Sequence, residues 1–391
     1  MPSQAYSGVP VRGARTLPLR VVPVAGEALD SWLEAIAHRY SIPLRTVLSR
    51  CGIRSTQRIA LALLSPTDDE QRRICVVTGI DVEVVSKMSL LHYRGHAAGI
   101  GDPLSHAECI PWIRRAGSRF CPHCLRESGG RWQLAWRLNW SFACVRHRCL
   151  LADLCPACLS PQRRQPLCAT RIPEPARCPR LRYRQADHRP LQCNANLGAA
   201  EVLRMPRTHP VLTAQTTIDA LLNGDRADFA LYGGAPPGSQ NVLSDVRLLA
   251  QWGMYAVEQT QLDRNLPTDV SSAVSLHRQS TSWRHGRYWR SGRNVPSALD
   301  TAVGVSLALS VISLQDIAVA VSVLERLLAN ANNGGPYRRP ISRRASLSPA
   351  LRSVLDLAYS RDSADRRLRS RLARKLATSQ SATPTSSVLA R

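Results

Sequence analysis

The chain has 391 residues, of which 52 are lysine or arginine and 28 are aspartate or glutamate, so its net charge is +24. This length allows two or three domains with a sizeable core. Lys87 and Lys375 are the only lysines, so the positive charge comes almost entirely from arginine. A GC-rich genome would explain arginine in place of lysine, but not the excess of basic residues. Arginine binds phosphate and stacks on bases, which predicts DNA as a partner; an acidic protein or a membrane surface is the alternative.

Targeting and membrane signals are weak. Residues 1–20 contain neither the apolar core nor the small-residue cleavage site of a signal peptide. The longest uncharged apolar run, 301–315, is shorter than the roughly 20 residues that span a bilayer. We therefore expect a cytoplasmic protein with no membrane partner.

Periodicity and composition predict a mainly α fold. The predicted parts are a flexible lead (1–16), an N-terminal helical, helix-turn-helix-like domain (17–117), a zinc-binding region (118–200), a C-terminal helical domain (201–330), and a linker with a short helix and a basic, disordered tail (331–391). Within the last two parts, helices are expected at 206–223 and 242–258, as one long or two shorter buried helices in 301–330, and at 349–359.

Two helical hairpins are expected in the N-terminal domain. Apolar residues at helical spacing in 27–40 predict the first helix. Ser41 is a candidate N-cap and Pro43 suits the first turn of a second helix that stops near Gly52. The next hairpin starts at 68–69, turns at 78–80 and continues in a helix capped by Asp81.

Helix-turn-helix units can present a helix to the DNA major groove. The last helix of the second hairpin is expected to expose few residues, namely Glu83, Ser86 and Lys87, a poor set for reading bases, which favours a packed hairpin without base contacts. The first hairpin offers three arginines that could contact phosphates, and we name them as candidate nucleic-acid-binding residues: Arg39, Arg45 and Arg50.

Seven cysteines and one histidine between residues 121 and 193 fall at metal-ligand spacing. They are Cys121 and Cys124 (Cys-Pro-His-Cys), Cys144 and His147 (Cys-Val-Arg-His), Cys155 and Cys158 (Cys-Pro-Ala-Cys), Cys178 and Cys193. A C-x2-C pair sets two thiolates on one turn, and a second pair closes a tetrahedral zinc site. A disulfide framework is the alternative, but it requires an oxidising compartment.

The simplest pairing gives two zinc sites. The first uses Cys121, Cys124, Cys144 and His147, and the second uses Cys155, Cys158, Cys178 and Cys193. In the second site Cys168 or His188 could replace an isolated cysteine. Four protein ligands leave no position open for water, which is typical of structural zinc.

Two segments rich in tryptophan and arginine are candidates for contact with nucleic acid. Trp132, Trp136 and Trp140 repeat every fourth residue, which suits one face of a helix that packs the zinc region. In 282–293, aromatic residues interleave with arginines, as in contacts to nucleic acid; an ordinary loop docked by its aromatics is the alternative. The candidate arginines of this segment are Arg284, Arg287, Arg290 and Arg293.

The sequence argues against an enzyme. His106-Ala-Glu108 before a C-x2-C motif resembles a zinc deaminase signature, but the proline follows Cys121 and the gap is too short for the intervening strand and helix. No segment clusters carboxylates as two-metal transposase chemistry requires. Neither lysine follows a Walker-type glycine loop, which excludes this chain as a P-loop ATPase.

Several of these motifs together resemble the TniQ/TnsD family of transposition proteins. The N-terminal matches are 17–20, 26–33, 78–80 and 88–90, and the later ones are Phe120-Cys-Pro-His-Cys124, Trp132-Gln-Leu-Ala-Trp-Arg137, Cys144-Val-Arg-His147 and Leu154-Cys-Pro-Ala-Cys158. Their order and spacing cover roughly residues 17–160. From Cys178 to about Gln251 the likeness is to divergent members, since many members end with a compact cysteine pair here.

The resemblance implies a non-catalytic target-selection factor with structural zinc. Family members bind DNA or a guide RNA complex and recruit an AAA+ transposition ATPase of the TnsC/TniB type, which positions the transposase. The alternative function is a zinc-containing transcriptional regulator without transposon partners. The two zinc ions per chain that we expect would be held by the eight residues named above.

Overall fold

The computed structural model describes residues 17–53, 63–94, 114, 117–163, 170–183, 190–233, 237–256, 297–332 and 347–358. The described chain is mainly helical, with two small two-stranded sheets. It forms two compact units. The first contains the described residues up to 225 together with 297–302, and the second contains those of 226–256, 303–332 and 347–358.

The first helical hairpin consists of α1 (Leu29–Arg39) and α2 (Leu44–Arg50). The apolar face of α1 is buried, with Trp32 and Leu33 almost inaccessible. The N-cap of α2 is Pro43 and not Ser41 as expected. Ser41 instead adopts φ 53°, and its amide donates to the His38 carbonyl at 3.0 Å, so it ends α1.

The second hairpin consists of α3 (Asp68–Thr78) and α4 (Val82–Lys87). Thr67 and Glu70 form a capping box at the start of α3. Asp81 caps α4 as predicted, with its carboxylate accepting from the Glu83 amide at 2.7 Å. Both hairpins contribute to one apolar core, to which the second adds Ile74 and Val85.

The cysteine-rich region has little regular structure. A short helix α5 (Pro122–Glu127) is followed by an antiparallel hairpin of β1 (Ala143–Cys144) and β2 (Cys149–Leu150). Farther along the chain, β3 (Leu181–Tyr183) and β4 (Pro190–Gln192) form a second antiparallel pair. Short elements of this kind cannot bury a large core, so other interactions must fix them.

The tryptophan segment is not the helix that its spacing suggested. Only Leu134–Arg137 is helical, as a single 3-10 turn. The reason is that the backbone on either side of Gln133 pairs with the chain before α1: Ala28 N donates to Trp132 O and Leu134 N donates to Gly26 O, both at 2.8 Å. The predicted packing role is confirmed, since Trp132, Trp136 and Trp140 are each at most 5% exposed.

Buried ion pairs join α1 to the cysteine-rich region. Asp30 contacts the guanidinium groups of both Arg137 and Arg163, and Arg163 also binds Glu34 at 2.6 Å. Burial opposes ionisation of Asp30, but these two arginines lower its pKa to about 2. Glu34 is different, because burial raises its pKa to about 7 despite Arg163. Arg163 also lies over the Trp132 ring, 4.5 Å from its centroid.

The remaining helices agree with the expected positions. In the first unit α6 (Pro210–Leu222) is tied to β1, because Gln215 Oε1 accepts from Ala143 N at 2.9 Å. In the second unit α7 (Ser239–Ala256) packs with α9 (Ile317–Asn332). Between them α8 (Ala298–Ile312) contains the boundary of the two units, and α10 covers 349–358. Among the described helices, none combines the length and apolar character needed to cross a membrane.

Candidate metal centres

The structure brings together Cys121, Cys124, Cys144 and His147. Their ligand atoms all lie within 4.8 Å of one another. Cys121 is the N-cap residue of α5, so one helical turn places its sulfur beside that of Cys124. Cys144 ends β1 and His147 lies in the turn to β2, which faces α5. We call these four residues the first cluster.

Distances within the first cluster suit a tetrahedral ion. Zinc–sulfur bonds of about 2.3 Å give sulfur–sulfur edges of about 3.8 Å in a tetrahedron. The sulfurs of Cys124 and Cys144 are 3.7 Å apart, and His147 Nδ1 lies 3.2 Å from Cys124 Sγ and 3.4 Å from Cys144 Sγ. Soft sulfur and imidazole donors in this arrangement could hold a metal ion such as zinc.

His147 is oriented from outside the cluster. Its Nε2 lies 2.9 Å from Glu127 Oε1, and Glu127 also pairs with Arg146 at 2.7 Å. With Nε2–H donating to the carboxylate, Nδ1 presents its lone pair to the cysteine sulfurs, as in carboxylate–histidine–metal arrangements. The hydrogen bond from His147 lowers the pKa of Glu127 below its usual value. This contact fixes the tautomer that a metal requires.

A fifth sulfur lies beside the first cluster and was missed by the sequence analysis. Cys149 Sγ is 3.8 Å from Cys121 Sγ, and Cys149 is fully buried. The signal that could have revealed it is the tight turn after Cys144, because the hairpin register places Cys149 directly opposite Cys144.

The second cluster consists of Cys155, Cys158, Cys178 and Cys193. Sulfur–sulfur distances are 3.8 Å for Cys155–Cys193 and 3.6 Å for Cys158–Cys178, again the edge of a zinc–thiolate tetrahedron. The hairpin β3–β4 brings the two isolated cysteines together, since Cys193 N donates to Arg180 O at 2.7 Å. The alternative ligands Cys168 and His188 lie outside the described residues.

Without a cation, the thiols cannot all be ionised together. Hydrogen bonds from Cys124 and Cys144 lower the pKa of Cys121, and the bond to Cys121 raises the pKa of Cys124. Burial raises the pKa of Cys178 in the second cluster. A divalent cation would remove this competition by holding every sulfur as a thiolate.

Arginines of the described chain separate into two groups. Several are buried or largely buried against carboxylates and stabilise the first unit: Arg114, Arg119, Arg131, Arg137 and Arg163. In contrast, Arg39, Arg45 and Arg50 on the first hairpin are exposed, as a phosphate contact requires. The candidates Arg284, Arg287, Arg290 and Arg293 lie outside the described residues, as do His106 and Glu108 of the deaminase-like pattern.

Fold and clusters together define a mainly helical protein with two candidate metal centres of the closed, four-ligand type. Residues 18–151 match the TniQ family model, so this part of the chain is similar to TniQ proteins. The predicted family resemblance is thereby confirmed. The match includes both helical hairpins and the whole first cluster, and it ends before the second cluster. Among curated proteins, none matches the chain.

Proposed function

We propose that this protein is a non-catalytic DNA-binding adaptor of transposition that selects the target site and recruits an AAA+ ATPase. The observation that carries the proposal is the TniQ domain at residues 18–151. Such a domain fits a DNA-binding adaptor associated with transposition. The ATPase would position the transposase, and a guide RNA complex is a further candidate partner.

We propose that each cluster holds one Zn²⁺ in a structural role. The first cluster offers three sulfurs and one imidazole nitrogen, and the second offers four sulfurs. Both donor sets match those of structural zinc sites, and four protein ligands leave no coordination position for a substrate or a reactive water. Zinc would therefore act by holding short elements in place, which supports binding and not catalysis.

We propose that the first hairpin binds DNA. Residues 35–53 contain no aspartate or glutamate, so the charges of Arg39, Arg45 and Arg50 have no acidic neighbour within that segment. On the second hairpin, by contrast, Arg73 pairs with Asp69 at 2.6 Å and Lys87 with Glu83 at 2.8 Å. Unneutralised arginines near a helix end are suited to phosphate contacts. The first hairpin is therefore the better candidate.

Purifying the tagged full-length chain with its bound partners tests the adaptor function. We expect an AAA+ ATPase to co-purify, and we expect affinity for duplex DNA to fall steeply between low and moderate salt because phosphate contacts release counterions. DNA binding without an ATPase would favour the transcriptional-regulator alternative. DNA affinity that does not change with salt would contradict the DNA-binding part of the proposal.

A further inference from the structure

The segment 170–180, which carries Cys178 of the second cluster, lies against the first hairpin. Leu44 N, at the start of α2, donates to Arg171 O at 3.3 Å, and the His38 ring contacts Pro173 O at 2.9 Å. The backbone at Arg171 therefore lies beside Leu44, the residue that precedes Arg45. A cavity of about 60 Å³ lies along this contact and is lined by Leu44, Arg171 and Arg177 among others.

Three arginines of this segment are exposed, namely Arg171, Arg177 and Arg180. Two of them are oriented by neutral acceptors: Arg171 donates to Gln192 Oε1 at 3.1 Å and Arg177 donates to Asn194 O at 3.2 Å. Because these partners carry no charge, they do not neutralise the guanidinium groups. Buried arginines such as Arg119 and Arg137 differ, since each faces a carboxylate.

The surrounding sequence leaves this positive charge largely uncompensated. Glu174 is the single acidic residue in 170–183, and 190–200 has none. Two carboxylates line the cavity: Glu34 is paired with Arg163, and Glu174 is exposed. With the acid-free segment 35–53, the exposed charge along the contact is therefore mostly positive. A partner with regularly repeated negative charges, such as the backbone of duplex DNA, fits a surface of this kind.

We infer that Arg171, Arg177 and Arg180 extend the DNA-binding surface of the first hairpin onto the second cluster. The second metal centre would then position phosphate-binding arginines by fixing the segment that carries them. This inference rests on the proposed function, because it names a further part of the same DNA-binding surface. Contacts of this type add affinity and orientation without reading the base sequence.

The test is a salt titration of binding to a duplex of about 30 base pairs and arbitrary sequence, using the full-length chain. Each phosphate contact contributes about 0.9 to the slope of log affinity against log salt. The triple variant R171Q/R177Q/R180Q should therefore reduce the slope by about 2 to 3. A matched variant, R148Q/R204Q/R207Q, removes the same charge from exposed positions of the same unit and should leave the slope unchanged.

A second variant should change DNA affinity in the opposite direction, so its effect cannot be explained by loss of folding. Glu174→Gln removes the acidic residue of the segment and should tighten DNA binding about two- to fivefold, the range of one exposed charge interaction. Metal content by elemental analysis verifies that each variant keeps the second cluster.

The outcomes separate the two proposals. Wild-type binding without salt dependence would overturn the proposed DNA-binding function itself. Salt-dependent wild-type binding with an unchanged slope in the R171Q/R177Q/R180Q variant would overturn only the inference. Equal slope losses in the triple variant and its matched control would show a diffuse charge effect, and would also overturn it.

Discussion

The two cysteine clusters have the same size and donor spacing, but they are anchored in different ways. The first lies within the TniQ domain, where all four ligands fall in 121–147 and the flanking Phe120 and Phe142 are fully buried. Ligands of the second span 155–193 and depend on one small hairpin to bring Cys178 and Cys193 together. Arg163, which belongs to the loop of the second cluster, is held by Asp30 and Glu34 of α1. The first cluster thus has buried neighbours close in sequence, whereas the second joins segments that lie farther apart in sequence, although its Cys155 and Cys178 are themselves buried.

The largest difference between the clusters should appear when one ligand is removed. Cys124→Ser is expected to unfold the region around the first cluster, because structural zinc contributes about 10–16 kcal/mol of apparent binding free energy, comparable with the whole stability of a domain. Cys158→Ser should release one ion and loosen the second cluster while the helical hairpins stay folded. Circular dichroism and elemental analysis, which should give two ions for wild type, measure both effects.

Cys75→Ser is the control for these variants, since Cys75 lies on α3 outside both clusters and is partly exposed. It should change neither metal content nor folding. Similar global unfolding in Cys124→Ser and Cys158→Ser would contradict the difference in anchoring, and a soluble, fully folded metal-free protein would refute structural zinc.

A neighbouring pair of glycines tests whether the segment of the second cluster packs against the loop after α5. Gly130 has φ 93°, and a Cβ there would lie 2.5 Å from both Ala176 N and Pro175 Cβ. Gly129 has φ 65° but no atom within 4 Å of the same position. Gly130→Ala should therefore destabilise by about 1–3 kcal/mol more than Gly129→Ala, the range of overpacking.

Urea denaturation of the two glycine variants provides the measurement. Both carry the strain of a positive φ, about 1–2 kcal/mol, so a difference larger than this strain reports the contact with residues 175–176. Equal destabilisation would mean that this contact is absent in solution.

Local patterns predicted six of the eight candidate ligands because metal spacing is a short-range signal, whereas Cys178 and Cys193 belong to no such motif and were added by the simplest pairing. The C-x2-C and C-x2-H motifs each place two donors on one turn, and the structure groups the same eight residues. Trp132–Trp140 was misread as a helix because its backbone partners lie about a hundred residues earlier, at Gly26 and Ala28. The carboxylate partners of the buried arginines, such as Asp153 for Arg119, depend in the same way on contacts distant in sequence.

Raising the pH should weaken the contact between α1 and the loop of the second cluster, because Glu34 of α1 ionises there. The pKa of Glu34 is raised to about 7 by burial, so the folded state holds this proton more tightly than the unfolded state does. The contribution of Glu34 to the free energy of unfolding is fully present below about pH 4.5. It is lost as pH rises through 7, by up to about 3 kcal/mol. Asp30, with a pKa lowered to about 2, loses its contribution only in stronger acid.

Comparing urea midpoints of wild type and Glu34→Gln between pH 5 and 8 isolates this group, because effects of pH on metal binding are common to both. Wild type should lose stability relative to the variant as pH rises. A constant difference across the range would show that Glu34 titrates normally in the folded protein.

The smallest expected effect concerns the groups that support the ligands from outside. Glu127→Gln weakens the acceptor of the His147 ring and should lower metal affinity at the first cluster about 10- to 100-fold, the usual effect of such a partner. In the second cluster, Gln162→Leu removes the 3.4 Å hydrogen bond to Cys178 Sγ. A neutral donor to sulfur contributes less than a carboxylate on a ligating histidine, so the loss there should be smaller. Competition with a chromogenic chelator measures the metal affinity of both variants. A larger loss of affinity in Gln162→Leu than in Glu127→Gln would contradict this prediction.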